Sequence, residues 1–185
     1  KIENPQDARF SESFLIVAPG ITIRDRLRVL LPNDGGNYYR ALDVVPAELT
    51  ERLNRARVVI TNFHAFLPRE KASAGRLTKR LLAGRAAGEA SPFKETPDQM
   101  VRRVCREFGG KKNMVVLNDE AHHCYREKPP APDDEDLKGD ERKEAERNSE
   151  AARLWISGLE AVNRKLGVSR VLDLPLDQAN ALAKL

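Results

Sequence analysis

The stretch Lys112-Asn113-Met114-Val115-Val116-Leu117-Asn118-Asp119-Glu120-Ala121-His122-His123-Cys124-Tyr125 constrains this chain more than any other. Four consecutive apolar residues, Met114 to Leu117, run directly into Asn118 and then two adjacent carboxylates. A short apolar run bounded by polar residues has the pattern of a buried strand. A buried strand that ends in acids delivers them to the edge of a sheet, where α/β proteins present their ligand crevices. Asp followed directly by Glu suits hydrolysis of a nucleoside triphosphate: one carboxylate holds the water shell of a Mg²⁺, and the next positions the attacking water.

Around this stretch the chain alternates between strand and helix signals. Phe14-Leu15-Ile16-Val17-Ala18 reads as a buried strand closed by Pro19-Gly20. Ile21 to Leu31 then places Ile23, Leu27, Leu30 and Leu31 on one helical face, with Thr22 as its cap and Pro32 as its stop. Tyr38-Tyr39 is expected to pack against the domain surface. A short helix is expected from Pro46 to Ala56, followed by the buried strand Val58-Val59-Ile60, which ends in Thr61-Asn62-Phe63-His64. His64, between Phe63 and Phe66, reads as a packing residue.

Pro68 to Pro97 mixes glycines with basic residues and is expected to form a surface excursion. From Thr96 or Pro97 to Phe108, an apolar stripe of Met100, Val101, Val104, Cys105 and Phe108 predicts a helix, with Cys105 in the core and Gly109-Gly110 as the stop. Arg126 to Asp140 is rich in proline and acid and reads as an insertion, its flexible extent set at residues 126–145. Glu141 onward is helical with Leu154, Trp155, Leu159, Val162 and Leu166 inward, and Val168 to Leu172 supplies a fourth strand. Strands separated by helices predict an α/β fold with a mainly parallel sheet.

Three stretches carry a family resemblance. Asp119-Glu120-Ala121-His122 resembles the Walker B box of DEAD/DEAH helicase-like ATPases. The longer run from Asn118 to Tyr125 resembles the version in the restriction (Res) subunits of type III restriction enzymes. Ile16 to Leu27 resembles motif Ia of those proteins, and Val58 to Phe66 their motif Ib region. The resemblance covers most of the chain and is to part of a larger protein. It implies that residues 1–185 form a partial RecA-like P-loop NTPase fold, the first domain of a motor that couples ATP hydrolysis to movement along duplex DNA. The implied cofactors are ATP and Mg²⁺, and the implied partners are double-stranded DNA and a modification (Mod) subunit. By the same resemblance Asp119 ligates Mg²⁺ through water, Glu120 orients the attacking water, and His122 couples the nucleotide site to the strand track. Pro19, Gly20, Arg24, Thr61 and Asn62 would contact the nucleic-acid backbone.

Two departures bear on this. The sequence holds no glycine-rich phosphate loop with a lysine and a Mg²⁺-binding hydroxyl, since Gly109-Gly110-Lys111-Lys112 precedes a strand instead of joining strand to helix. Pro175-Leu176-Asp177 stands where the family shows a Ser-Ala-Thr box. The expectation is therefore a fragment or truncated relative, inactive as an ATPase by itself. The rival reading is a degenerate, non-catalytic RecA-like module for nucleic-acid binding or interaction; a helicase of repair or RNA metabolism would differ in partner only. Zinc is not expected at His122, His123 and Cys124, because adjacent residues do not converge on one tetrahedral ion. The charge of +4, from 32 basic and 28 acidic residues, does not select a nucleic-acid partner. No apolar run approaches bilayer length and Lys1 to Asp7 lacks a signal peptide's apolar core, so the expected location is the cytoplasm.

Overall fold

The computed structural model describes residues 4, 6–70, 94–121 and 140–174. Four strands form one sheet: β1 (Ser13–Ala18), β2 (Arg57–Asn62), β3 (Met114–Asp119) and β4 (Val168–Leu174). Their spatial order is β2-β1-β3-β4, and every pairing is parallel. The chain first steps from β1 to β2 on one side and then returns to the other side of β1 for β3. The direction of winding thus reverses between β1 and β3, and there the carboxyl ends of an open parallel sheet form a crevice.

Alternation sorts the strand residues onto two faces. Leu15 and Val17 of β1, Val59 of β2, and Met114 and Val116 of β3 point into one core. That core is closed by α4 (Pro97–Val104), α5 (Asp140–Leu166) and the single turn Phe63–Phe66 that follows β2. Of the expected stripe, Met100, Val101, Cys105 and Phe108 are buried and Val104 is partly buried, but the α-helix ends at Val104, and a 3₁₀ turn, Arg106–Phe108, carries Phe108. A capping box starts the helix, with Thr96 accepting from the Gln99 amide and Gln99 reaching back to the Thr96 amide. Desolvation pushes the Cys105 thiol up to about 12, so it is a packing group rather than a nucleophile. On α5, Trp155, Val162 and Leu166 are buried, and Leu154 and Leu159 pack at the margin. Lys165 fastens the carboxyl end of α5 to the start of α4 through the Asp98 carbonyl (2.9 Å) and carboxylate (3.1 Å).

The other face is covered at β1 and β2 by the short α1 (Ile21–Arg26) and the tighter turn Leu27–Leu30, with α2 (Tyr38–Ala41) and α3 (Ala47–Leu53) beyond them. The helix expected from Ile21 to Leu31 is thus continuous from Ile21 to Leu30 but changes from α to 3₁₀ form at Leu27. Pro32 drives Leu31 to extended geometry (φ −79°, ψ 116°), and the last turn before it tightens to a 3₁₀ form. Gly20, not Thr22, occupies the cap position. Tyr39 packs as expected, its hydroxyl donating to the Leu30 carbonyl at 3.2 Å, whereas Tyr38 is exposed. Residues 140–145, assigned from sequence to the insertion, belong to the first turns of α5. The rest of that insertion and residues 71–93 of the basic excursion lie outside the described residues.

The segment after β2 is tied to α4 by Arg103. Its guanidinium donates to Glu95 (2.7 Å), to the Ala65 carbonyl (2.9 Å) and to the Leu67 carbonyl (3.2 Å). The same contact holds the Glu95 carboxyl below its ordinary range. β4, by contrast, is an outer strand among the described residues. Val171, Leu172 and Leu174 are about half exposed on it (48%, 48% and 50%).

Candidate nucleotide and strand-binding edge

Because all four strands are parallel, their carboxyl ends lie on one edge, and the residues singled out from sequence follow those ends. Pro19-Gly20 leaves β1, Thr61-Asn62 closes β2, and Asp119-Glu120 closes β3. β1 stands between the other two, with Val17 opposite both Thr61 and Asn118. The topology therefore gathers all three pairs along the crevice edge. His122, His123 and Cys124 lie outside the described residues. Among the described residues no cluster of three or more potential metal ligands occurs.

Asp119 points to the face opposite α5, the face it shares with Ala18 and Asn62. Its carboxyl is half-buried and titrates above the ordinary aspartate range, first because burial disfavours the charge and second because Glu120 adds a like charge beside it. The Glu120 amide opposes both effects by hydrogen bonding to the carboxylate. A divalent cation at this point would offset both costs, and a carboxylate pair is the donor chemistry that Mg²⁺ accepts.

The sign of the pH effect follows. With its pKa raised on folding, Asp119 holds a proton in the folded state over a window in which the unfolded chain has lost it, so stability falls as pH rises through that window. Asp119→Asn is therefore expected to stabilise the fold at neutral pH. The gain should vanish below the ordinary aspartate pKa of about 4. Urea unfolding of both proteins across that range checks it.

Glu120 has left-handed backbone geometry (φ 54°). A non-glycine residue is held there only at a cost, and such strain collects at sites where a side chain must be aimed in one direction. Glu120→Gly is expected to raise stability by about 0.5 to 1 kcal/mol as the strain is relieved, measured by thermal unfolding. A loss of stability would mean that the contacts of the Glu120 side chain outweigh the strain.

The nucleic-acid candidates differ in how they are presented. Pro19 and Gly20 are half-buried, and a methyl at Gly20 would meet nothing within 4 Å, so the backbone there is open to approach. Arg24 lies in the last turn of α1, its guanidinium bonded to Asp25 at 2.6 and 2.9 Å. Thr61 and Asn62 are buried (8% and 7% exposed), and the Thr61 hydroxyl donates to the Asn62 carbonyl at 3.3 Å. His64 is exposed, its ring 4.0 Å from that of Phe63. It was expected to be a packing residue; its ring does lie against Phe63, but from the exposed side.

One part of the site was not anticipated. Asn118, 1% exposed, donates through Nδ2 to Asp173 Oδ1 (2.8 Å) and accepts through Oδ1 from Trp155 Nε1 (3.1 Å). The amide is thereby fixed in one orientation directly behind Asp119. The sequence signal was an asparagine at an inward position of an apolar strand, where a polar side chain must find partners.

A cleft of about 770 Å³ opens at the opposite edge, near the amino ends of β1 and β2, lined by Glu12, Pro32, Asn54, Arg57, Glu107 and Lys111. Lys111 pairs with Glu12 there, and Arg57 donates to the Glu107 backbone carbonyl at 2.8 Å. We assign it no part in the chemistry. No family model, curated protein or solved structure matches the chain.

Proposed function

We propose that the chain is part of an ATP-dependent motor of the RecA-like type, as in the Res subunit of a type III restriction enzyme. The observation that carries this reading is the acid pair at the end of a central parallel strand, beside the point where the winding reverses. In this reading Mg²⁺, when bound, supplies charge neutralisation to the triphosphate and its leaving group. Asp119 would hold it through water. Glu120, aimed by its left-handed backbone, orients the attacking water and accepts its proton. The backbone around Pro19-Gly20 and at Thr61-Asn62 faces the phosphates of duplex DNA, with Arg24 adding charge once released from Asp25. His122 links the two functions, and a modification subunit supplies sequence recognition. The half-exposed apolar residues on β4 fit the same reading, since an unprotected outer strand of this kind is normally covered in the intact protein.

The sequence favours a second reading on one point. It contains no glycine-rich phosphate loop, so a module that binds nucleic acid without turnover fits it equally at that position. Calorimetry of Mg²⁺-ATP binding, with Asp119→Ala as control, separates the two. Weak binding lost in the control supports the motor reading. Duplex binding without any Mg²⁺-ATP binding supports the other. In either case no sustained ATP turnover is expected from these 185 residues, and turnover abolished by Glu120→Gln would overturn that expectation.

A further inference from the structure

Trp155 occupies an unusual position relative to the strand ends. It is the only tryptophan of the chain, it is fully buried, and it touches the end of β3 and the turn that follows β2, reaching β4 through one intermediary. Its indole N–H donates to Asn118 at 3.1 Å, one residue before Asp119. Asn118 donates onward to Asp173 at 2.8 Å, near the end of β4. Its ring lies against that of Phe63, centroids 5.2 Å apart and planes within 9°, one residue after Asn62.

We infer that Trp155 couples the acid pair to the Thr61-Asn62 end of the sheet, transmitting a displacement of Asp119 through Asn118 and the indole to Phe63. The mechanism needs no long-range wire. Asn118 and Asp119 are consecutive residues of β3, so a shift of the strand end that reseats the Asp119 carboxylate also displaces Asn118. The Asn118 amide is buried with its oxygen and nitrogen both engaged, and cannot turn without moving the indole or breaking a buried hydrogen bond. The indole in turn lies nearly parallel to the Phe63 ring within the packed core. Phe63 opens the single turn that follows β2, and a shift of its ring changes how Asn62 leaves the strand. The inference rests on the functional reading above only for its biological meaning. The coupling itself is a property of the fold.

The test therefore uses no nucleotide. Backbone and indole N–H resonances of the full chain are compared between wild type and Asp119→Asn, first with Trp155 present and then in a Trp155→Phe background. With Trp155 present, Asp119→Asn is expected to shift the indole N–H and the amides of Asn62, Phe63 and His64. In Trp155→Phe the ring stack survives and the hydrogen bond does not, and the response at residues 62–64 should be about threefold smaller or less, as for removal of one link in a coupled network. The response at Val17 and Ala18, carried by the sheet backbone, should stay.

A second variant, Phe63→Leu, covers the case in which Trp155→Phe does not fold: the indole should still respond while Asn62 no longer does. An unmoved indole in Asp119→Asn, or an undiminished response at Asn62 in either background, overturns the coupling. Duplex binding without any Mg²⁺-ATP binding in the calorimetric experiment would favour the non-catalytic module over the motor reading and leave this result intact.

Discussion

Trp155→Ala is expected to cost the fold about 5 kcal/mol, most of the stability of a domain this size. Two terms add. Truncating a fully buried tryptophan leaves a large void among Phe63, Phe66 and the sheet, and large-to-small changes of this kind cost about 3 to 5 kcal/mol. The second term is the Asn118 oxygen, which stays buried after its donor is gone and adds about 1 kcal/mol or more. Trp155→Phe retains most of the volume and the stack and isolates the second term, so its loss should be less than half as large. Urea unfolding of the two variants, followed by circular dichroism because the fluorophore is removed, gives both numbers. Equal losses would mean that the hydrogen bond, not the packing, dominates.

The second large effect comes from the smallest side chain of the helix. Gly158 lies in the middle of α5, where alanine would ordinarily stabilise by about 1 kcal/mol. Here a methyl would lie 2.7 Å from Cβ of Phe66 and closer still to its Cγ and Cδ2. Those atoms belong to the root of the ring, which cannot swing away without moving the backbone, and Phe66 is itself 1% exposed. Gly158→Ala is accordingly expected to destabilise by about 2 to 3 kcal/mol despite its favourable propensity. The double variant Gly158→Ala/Phe66→Leu should be more stable than the sum of the two single losses, since one substitution makes room for the other. A stabilising Gly158→Ala would show that α5 can slide on the turn at residues 63–66.

How much of this was legible beforehand depends on whether a feature is local. The strands at 14–18, 58–60 and 168–172 and the one ending in the acid pair were readable because each is an apolar run cut off by turn or polar residues. The α4 stripe was readable because its period is helical and its start has a capping box. The change to 3₁₀ form after Arg26 was missed because the apolar spacing continues through it. The sheet order could not be read, since nothing local states that β1 lies between β2 and β3. The left-handed backbone at Glu120 was equally hidden, because glutamate is not a residue that announces such geometry. The Trp155-Asn118-Asp173 chain spans three elements, and only the unexplained inward asparagine hinted at it.

The sheet order also sets an order of events as the chain is synthesised. Of the four described strands β1 is made before the others, and its neighbour β2 is available about forty residues later, but its other neighbour β3 only after about a hundred. Closing the longer loop costs under about 1 kcal/mol more, so equilibrium hardly registers the delay. Time does. On a ribosome adding about 5 to 20 residues each second, the central strand of the finished sheet waits several seconds with one side unpaired. Early in that interval, before α4 is made, Phe14 to Ala18 and β2 form a two-stranded ribbon whose apolar face has neither α4 nor α5 to cover it, and chaperone capture would be most useful then.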